Sequence, residues 1–418
     1  MYKHLITFIF LFASASILAQ ENSPYTRFGI GDMRPMTTAA MRGWGNMQAT
    51  YSSKDRFNIA NPASLGALKL TNYQIGLFAK GMTVRSDSAS QNFGYGTVDY
   101  ITLAFPIKHG AVSFGLLPLS RVNYNILEFN ESANGLPRYV QIFNGEGSVN
   151  EAYLATGVSL FKNLRIGARA AFVFGNIRNA TRLVFDDTLN GFNSRYYNDR
   201  HLNGFSFYGG AQYDIKWKEQ NTLTVGVAGN LNNSIRSTRD MMMNRFYYNS
   251  ANAEVAFDTI TAAFNQRGAV ILPASFDAGL LYNFKNKWLV GVNFNYTDAQ
   301  SYRSFNEIDS FRASYKVAAG IQWIPNETAL EGLYNRLKFR LGGYYQQTPI
   351  YFNNQQINQY AITAGFGIPV KRFFSDIDFA FEIGKMGTTS NNLLEERFLR
   401  GTLGFSISDR WFIKRKYD

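Results

Sequence analysis

From Tyr73 onward the chain is a succession of extended segments joined by connectors that are alternately very short and long, and few architectures tolerate that rhythm. The short connectors fall at Ile107 to Ala111, Phe161 to Arg165, Trp217 to Asn221, Phe284 to Lys287 and Val370 to Ser375. Between them lie longer stretches rich in Asn, Ser, Tyr and Arg: Asn125 to Gly147, Asn176 to Asn203 and Asn232 to Gly268. A closed barrel in a bacterial outer membrane has short periplasmic turns on one rim and longer extracellular loops on the other. The rhythm therefore predicts sidedness as well as fold.

Several segments alternate in the manner of strands with one apolar and one polar face. In Leu164 to Phe174, one face carries Leu164, Ile166, Ala168, Ala170, Phe172 and Phe174, and the other carries Arg165, Gly167, Arg169, Ala171 and Val173. Trp288 to Thr297 repeats the pattern, as does Ile377 to Ile383, where Asp378 and Glu382 must point inward because a charge facing hydrocarbon is costly. The pattern predicts 14 strands, near 73–85, 94–106, 111–124, 148–161, 164–175, 204–217, 222–232, 270–284, 287–298, 312–324, 336–351, 356–370, 375–385 and 399–408. An even count puts both chain ends on the periplasmic side. Trp217, Trp288, Trp323 and Trp411 all fall beside predicted periplasmic turns, as expected of aromatic side chains at a membrane interface. A mean hydropathy of -0.20 fits this reading, because the two faces of each strand cancel in the average.

Residues 1–20 read as a signal peptide, with Lys3 and His4 before an apolar run from Leu5 to Leu18 and small residues near Ala19. Residues 71–412 are then the barrel, and 413–418 a short basic periplasmic tail. Residues 21–70 do not follow the strand rhythm and hold Gly29, Gly31, Gly43, Gly45, Pro24, Pro35 and Pro62. Fourteen strands give a ring of roughly 14 Å radius, too wide for side chains alone to fill. This segment is therefore predicted to fold into the lumen as a hatch.

Chemistry is sparse. There is no Cys, and the mature histidines, His109 and His201, fall at opposite rims, so no thiol or histidine constellation is available. Asp186 and Asp187 suit either calcium or a solvated acidic pair. No enzyme activity and no cofactor are expected. The net charge of +12 is scattered and not gathered in a patch, which fits outer-membrane lipid and lipopolysaccharide head groups better than nucleic acid. Met241, Met242, Met243, Phe246 and Tyr247 lie in the longest predicted loop, where flexible thioethers beside aromatics form either an extracellular ligand or partner patch or a cover packed over the barrel mouth.

Arg42-Gly43-Trp44-Gly45 followed by Asn58-Ile59-Ala60-Asn61-Pro62-Ala63-Ser64-Leu65 resembles the hatch of the FadL/TodX family of outer-membrane transporters. Leu272-Pro273-Ala274-Ser275-Phe276-Asp277 is similar to a hairpin of the same family, and Ser23-Pro24-Tyr25-Thr26-Arg27-Phe28-Gly29 resembles its Bacteroidota-type branch. The resemblance implies an all-β transmembrane antiparallel barrel with an N-terminal luminal hatch, Asn61, Pro62 and Ala63 as its gating element, and passive uptake of hydrophobic small molecules. It also implies a kinked third strand with a lateral opening, for which Gly115 and Pro118 are the candidates. Proline removes a ladder donor there, and the alternative is a strand that simply leaves the membrane at that point. The family hatch starts with a mostly apolar terminus, whereas this one starts Glu21-Asn22-Ser23-Pro24. Relatives in the same branch include accessory barrels that work beside secretion or assembly complexes with other outer-membrane proteins.

Overall fold

A computed structural model describes residues 22–131, 138–185, 193–217, 221–251, 253–326, 332–370 and 375–411. The expected signal peptide, the expected basic tail and Asp186-Asp187 lie outside these residues. Fourteen antiparallel strands form a closed ring, numbered here β1 Thr71–Arg85, β2 Ser90–Ile107, β3 Gly110–Asn130, β4 Tyr139–Ser159, β5 Leu164–Phe185 and β6 Asn193–Trp217. Strand β7 runs through Asn221–Asn230 and, after a two-residue break, Asn233–Tyr248; β8 runs through Glu254–Leu272 and then Ser275–Phe284. The ring continues with β9 Trp288–Thr297, β10 Ser314–Trp323, β11 Lys338–Phe352, β12 Gln355–Val370, β13 Ser375–Gly387 and β14 Glu395–Asp409. An unbroken ladder from Glu395↔Arg85 to Asp409↔Thr71 joins β14 to β1 and closes the barrel.

The outer face is apolar at Leu77, Ile101, Phe172, Phe205, Val292, Ile362 and Ile383, all more than a third exposed, the band expected where a barrel meets lipid. Asp378 and Glu382 are buried inside, as their strand pattern requires. At the short-turn rim Trp288 stacks on Trp323 and Trp323 on Phe339, with centroids 5.7 and 5.5 Å apart, and Trp411 meets Phe105. The tight turn after Phe284 has Lys285 and Asn286 at φ of 52° and 56°, a left-handed pair closed by the Lys287 N–H donating to the Phe284 carbonyl (3.0 Å).

The described residues of the three long stretches read as loops are mostly strand. β3 to β6 are 21, 21, 22 and 25 residues long, against roughly 9–11 needed to span a bilayer, so they and the upper arms of β7 and β8 rise far beyond the membrane. In the wall polar residues interrupt both faces of a strand, with Ile126 and Phe143 packed on the cluster of Ile177, Leu202 and Ile235, so the continuous apolar period of two that marks a spanning strand is lost. On the other side of the ring the turns at this rim are short, as at Asn353-Asn354. The barrel is thus a low cylinder with a tall six-strand wall on one flank.

Residues 22–70 pack within the ring. They form short 3-10 turns at Pro24–Arg27 and Pro62–Ala67, one helical turn at Ala39–Arg42 and a two-residue strand at Asp32–Met33. Met41, Trp44, Met47, Ala49, Asn61 and Ala63 are fully buried.

Candidate functional site

The segment is seated on glycines of the inner wall. A Cβ at Gly320 would lie 2.1 Å from the Trp44 carbonyl oxygen, one at Gly226 2.3 Å from that of Ala49, and one at Gly157 2.3 Å from that of Pro62. Backbone therefore meets backbone at three sectors of the ring, a close approach that only glycine permits.

Asn61, Pro62 and Ala63 sit at the β4 to β7 sector. The Asn61 side chain accepts a hydrogen bond from the Ala63 amide (3.0 Å) and donates to the carbonyls of Ala49 (2.6 Å) and Val227 (3.2 Å), so one residue caps the Pro62 turn and ties it to the wall. Asn58 and Ser64 add a reciprocal pair, Asn58 N–H to Ser64 Oγ (2.9 Å) and Ser64 O–H to the Asn58 carbonyl (3.1 Å).

Buried ion pairs fix the segment elsewhere. Arg56 binds Asp376, and its Nη1 lies 2.8 Å from Asp378 Oδ2; Arg340 holds the other Asp378 oxygen at 2.6 Å and Lys338 holds Asp376 at 3.1 Å. Across the lumen Arg42 meets Asp99 at 2.7 Å. Asp99 faces inward because the β1–β2 register skips it, Gly76 pairing with Tyr100 and Leu77 with Val98.

The ladder between β2 and β3 stops short. β2 and β3 pair only from Ile107↔Gly110 to Ile101↔Leu116, and above that level β4 is the one ring strand paired with β3 among the described residues. Gly115 lies within the last paired stretch and Pro118 just past its end, where it stays opposite Asn150 of β4. The β3–β4 register shifts between Pro118 and Ser120. The amino-terminal segment fills the vacated edge of β3: Asp32 pairs with Arg121 and Met33 with Ser120, Arg34 N–H donates to the Leu119 carbonyl (2.9 Å), and Ser23 N–H donates to that of Asn123 (3.1 Å). On the β2 side Arg34 hydrogen-bonds Tyr95 and lies 4.4 Å over the Phe78 ring. Met33 is 50 % exposed at this seam.

Behind the seam lies a cavity of about 360 Å³ with two characters. Tyr25, Phe28, Ile30, Met36 and Phe311 give it an apolar side. The other side carries Glu382, bound by Arg400 (2.6 Å) and by the Tyr344 hydroxyl (2.6 Å), with Lys316 4.0 Å over the Tyr344 ring.

The methionine and aromatic group is part of the wall hairpin and not of a loop. Phe246 is fully buried against Arg195 and Tyr248, so it offers no surface. Met241 accepts a hydrogen bond from the Tyr196 hydroxyl (3.1 Å), Met242 and Met243 are half-buried, and Tyr247 is exposed. The wall glycines, the bulge at Asp99 and the hold on Arg56 escaped the sequence reading; the alternation that placed Asp378 inside was the available signal for the last of these.

Among solved structures the fold is similar to the CymD monoaromatic hydrocarbon channel, at 13 % identity over 91 % of this chain and 99 % of that chain, with a TM-score of 0.61. It is equally similar to the P. putida toluene transporter TodX, at 16 % identity, 91 % and 100 % coverage and a TM-score of 0.61. A Pseudomonas aeruginosa FadL homologue follows at 11 % identity, 91 % and 99 % coverage and 0.58. The FadL-like fold expected from the hatch residues is therefore present. No curated protein matches the chain. A sequence model of the BamG family matches residues 1–418, end to end, and this outer-membrane barrel with a FadL-like fold belongs to the BamG family.

Proposed function

We propose that the protein is an accessory barrel of an outer-membrane assembly complex, with a plugged lumen and a tall extracellular wall that meets other outer-membrane proteins. The observation that carries this reading is the seating of the amino-terminal segment, backbone against backbone, on Gly157, Gly226 and Gly320, reinforced by buried ion pairs. A gate that opens for each solute would have to break these together. The wall supplies the surface: Leu127, Phe129, Phe257, Ile260 and Phe264 stand more than half exposed on strand ends beyond the spanning segments, and exposed apolar groups of this kind mark interaction sites. Purification of the full chain in mild detergent tests the proposal: other outer-membrane proteins are expected to copurify in fixed ratio, and isolation of the barrel alone from native membranes would overturn the reading.

A second reading, passive uptake of hydrophobic small molecules, is favoured by the seam beside Leu116 and Pro118 and by the cavity behind it. In it, solute leaves sideways past Met33 when the segment around Asn61, Pro62 and Ala63 shifts. The fold neighbours are channels and transporters of such compounds. The paired residues Asp32 and Arg121 separate the two readings. Asp32→Cys with Arg121→Cys, in a chain without Cys, is expected to form a disulfide, because partners across an antiparallel ladder lie within bridging distance. Under the first reading the oxidised variant keeps its partners and grows normally. Loss of toluene or fatty-acid uptake on oxidation, restored by reductant, would establish the second.

A further inference from the structure

Outside the lumen, at the extracellular end of β13, β14 and β1, three cations crowd one carboxylate. Glu395 lies 2.6 Å from Lys385, 2.7 Å from Arg397 and 3.8 Å from Arg85. Lys385 and Arg397 are direct partners across the ladder and share the outer face, a like-charge pair that the single Glu395 carboxylate bridges. The cluster holds a formal excess of two positive charges, three cations less one carboxylate.

Below it the outer wall is concave. A groove of about 820 Å³ runs down from Arg397 between Tyr360, Ile362, Ile383 and Leu399 on one bank and the strand carrying Gly81. The register explains the hollow. In successive outward rows Ile362, Ile383 and Leu399 are followed by Gly81 and Gly94, and Phe381 is followed by Gly401, Ala79 and Gly96. Glycine weakens a strand interior, yet the barrel itself does not require it here. A Cβ at Gly81 or at Gly401 meets nothing within 4 Å, unlike the glycines of the inner wall. The space left open is at the depth of the outer leaflet, since the tryptophan-bearing short turns lie at the other end of these strands.

We infer that this is a binding site for a phosphorylated lipid of the outer leaflet, its phosphate on Lys385, Arg397 and Arg85 and an acyl chain in the groove floored by Gly81. The charge excess calls for an anion, and the apolar trough directly beneath calls for a chain attached to it. Basic groups beside an apolar surface are the physical basis of lipid head-group recognition. Such a lipid would order the β12 to β2 sector, which borders the seam at β2, and so would brace the barrel where its ladder is interrupted.

The full chain in detergent micelles, titrated with diphosphoryl lipid A and followed by native mass spectrometry, tests this. The wild-type barrel is expected to retain lipid A well above phosphatidylethanolamine. Retention is expected to fall about tenfold in Lys385→Gln with Arg397→Gln, and comparably in Gly81→Leu, which fills the groove and keeps every charge. Heat-modifiable migration on gels shows that each variant is a folded barrel, and Arg397→Gln alone replaces any that is not. Equal retention in all variants would mean annular lipid only and overturn the site. Displacement of lipid A by an equal concentration of inorganic phosphate would overturn the role of the groove, and loss of a copurifying protein, without loss of lipid A, in Gly81→Leu would make the surface a protein contact instead.

Discussion

Arg56→Met is expected to unlatch the amino-terminal segment from the short-turn half of the barrel. The Arg56 guanidinium is 3 % exposed and joins Asp376 and Asp378 of β13 to a segment otherwise remote in sequence. Removing one partner of a buried ion pair costs about 3 to 5 kcal/mol, because the carboxylates left behind have neither water nor a full complement of donors. Arg340 and Lys338 still touch them, so the ring itself should stay closed while the segment loses its hold. Planar bilayer recordings should show a quiet wild-type barrel and frequent opening in Arg56→Met. Arg56→Lys should fall between, since an ammonium keeps the charge and loses the forked geometry. If Arg56→Met is as quiet as wild type and unfolds at the same urea concentration, the ion cluster does not hold the plug.

The barrel was legible wherever a strand has lipid on one side and lumen on the other. All 14 strands lie where the alternation of residues such as Leu164 to Phe174 and Trp288 to Thr297 places them, and Asp378 and Glu382 are buried inside as the pattern requires. The same physics explains what was missed. Tyr139 to Gly147 and Asn193 to Asn203 are paired strand, but in the wall neither face is continuously apolar, so their composition reads as loop. Pro118 marked the neighbourhood of the seam, because a missing backbone donor is a local property. The other bank carried no such mark. The turn of Asp99 towards Arg42, the end of the ladder at Ile101 and the pairing of Asp32 with Arg121 all depend on residues far apart in the chain. Asn61-Pro62-Ala63 was recognisable as a motif, whereas the glycines that receive it are spread over strands β4 to β6 and look like ordinary barrel glycines until the two surfaces are brought together.

Those inner glycines give the second large effect. In Gly320→Val the new Cβ would stand 2.1 Å from the Trp44 carbonyl oxygen, with the carbonyl carbon at 2.7 Å. Its cross-strand partner Gly342 faces the same residue at 2.5 Å, and Gly365, two strands on from Gly320, faces the Gly43 Cα at 2.8 Å, so there is no free wall into which the segment could slide. The obstacle is backbone and not the end of a flexible side chain. Trp44 is itself fully buried and packed edge-on against Tyr51 at 5.9 Å. Overpacking a core costs typically about 1 to 3 kcal/mol when side chains can give way, and here they cannot, so the effect should exceed that range and fall on the plug. The expected result is a barrel that still closes but leaves Trp44 accessible, seen as a red-shifted, quenchable tryptophan signal against a Trp44→Phe background, together with a raised conductance. Gly209→Val is the matched control: it faces outward, its Cβ meets nothing within 4 Å, and a β-branched residue suits a lipid-facing strand, so it should behave as wild type. Equal conductance and equal quenching in the two variants would mean that the segment reseats around an added side chain, and that its contact with the glycine wall is loose enough to work as a gate.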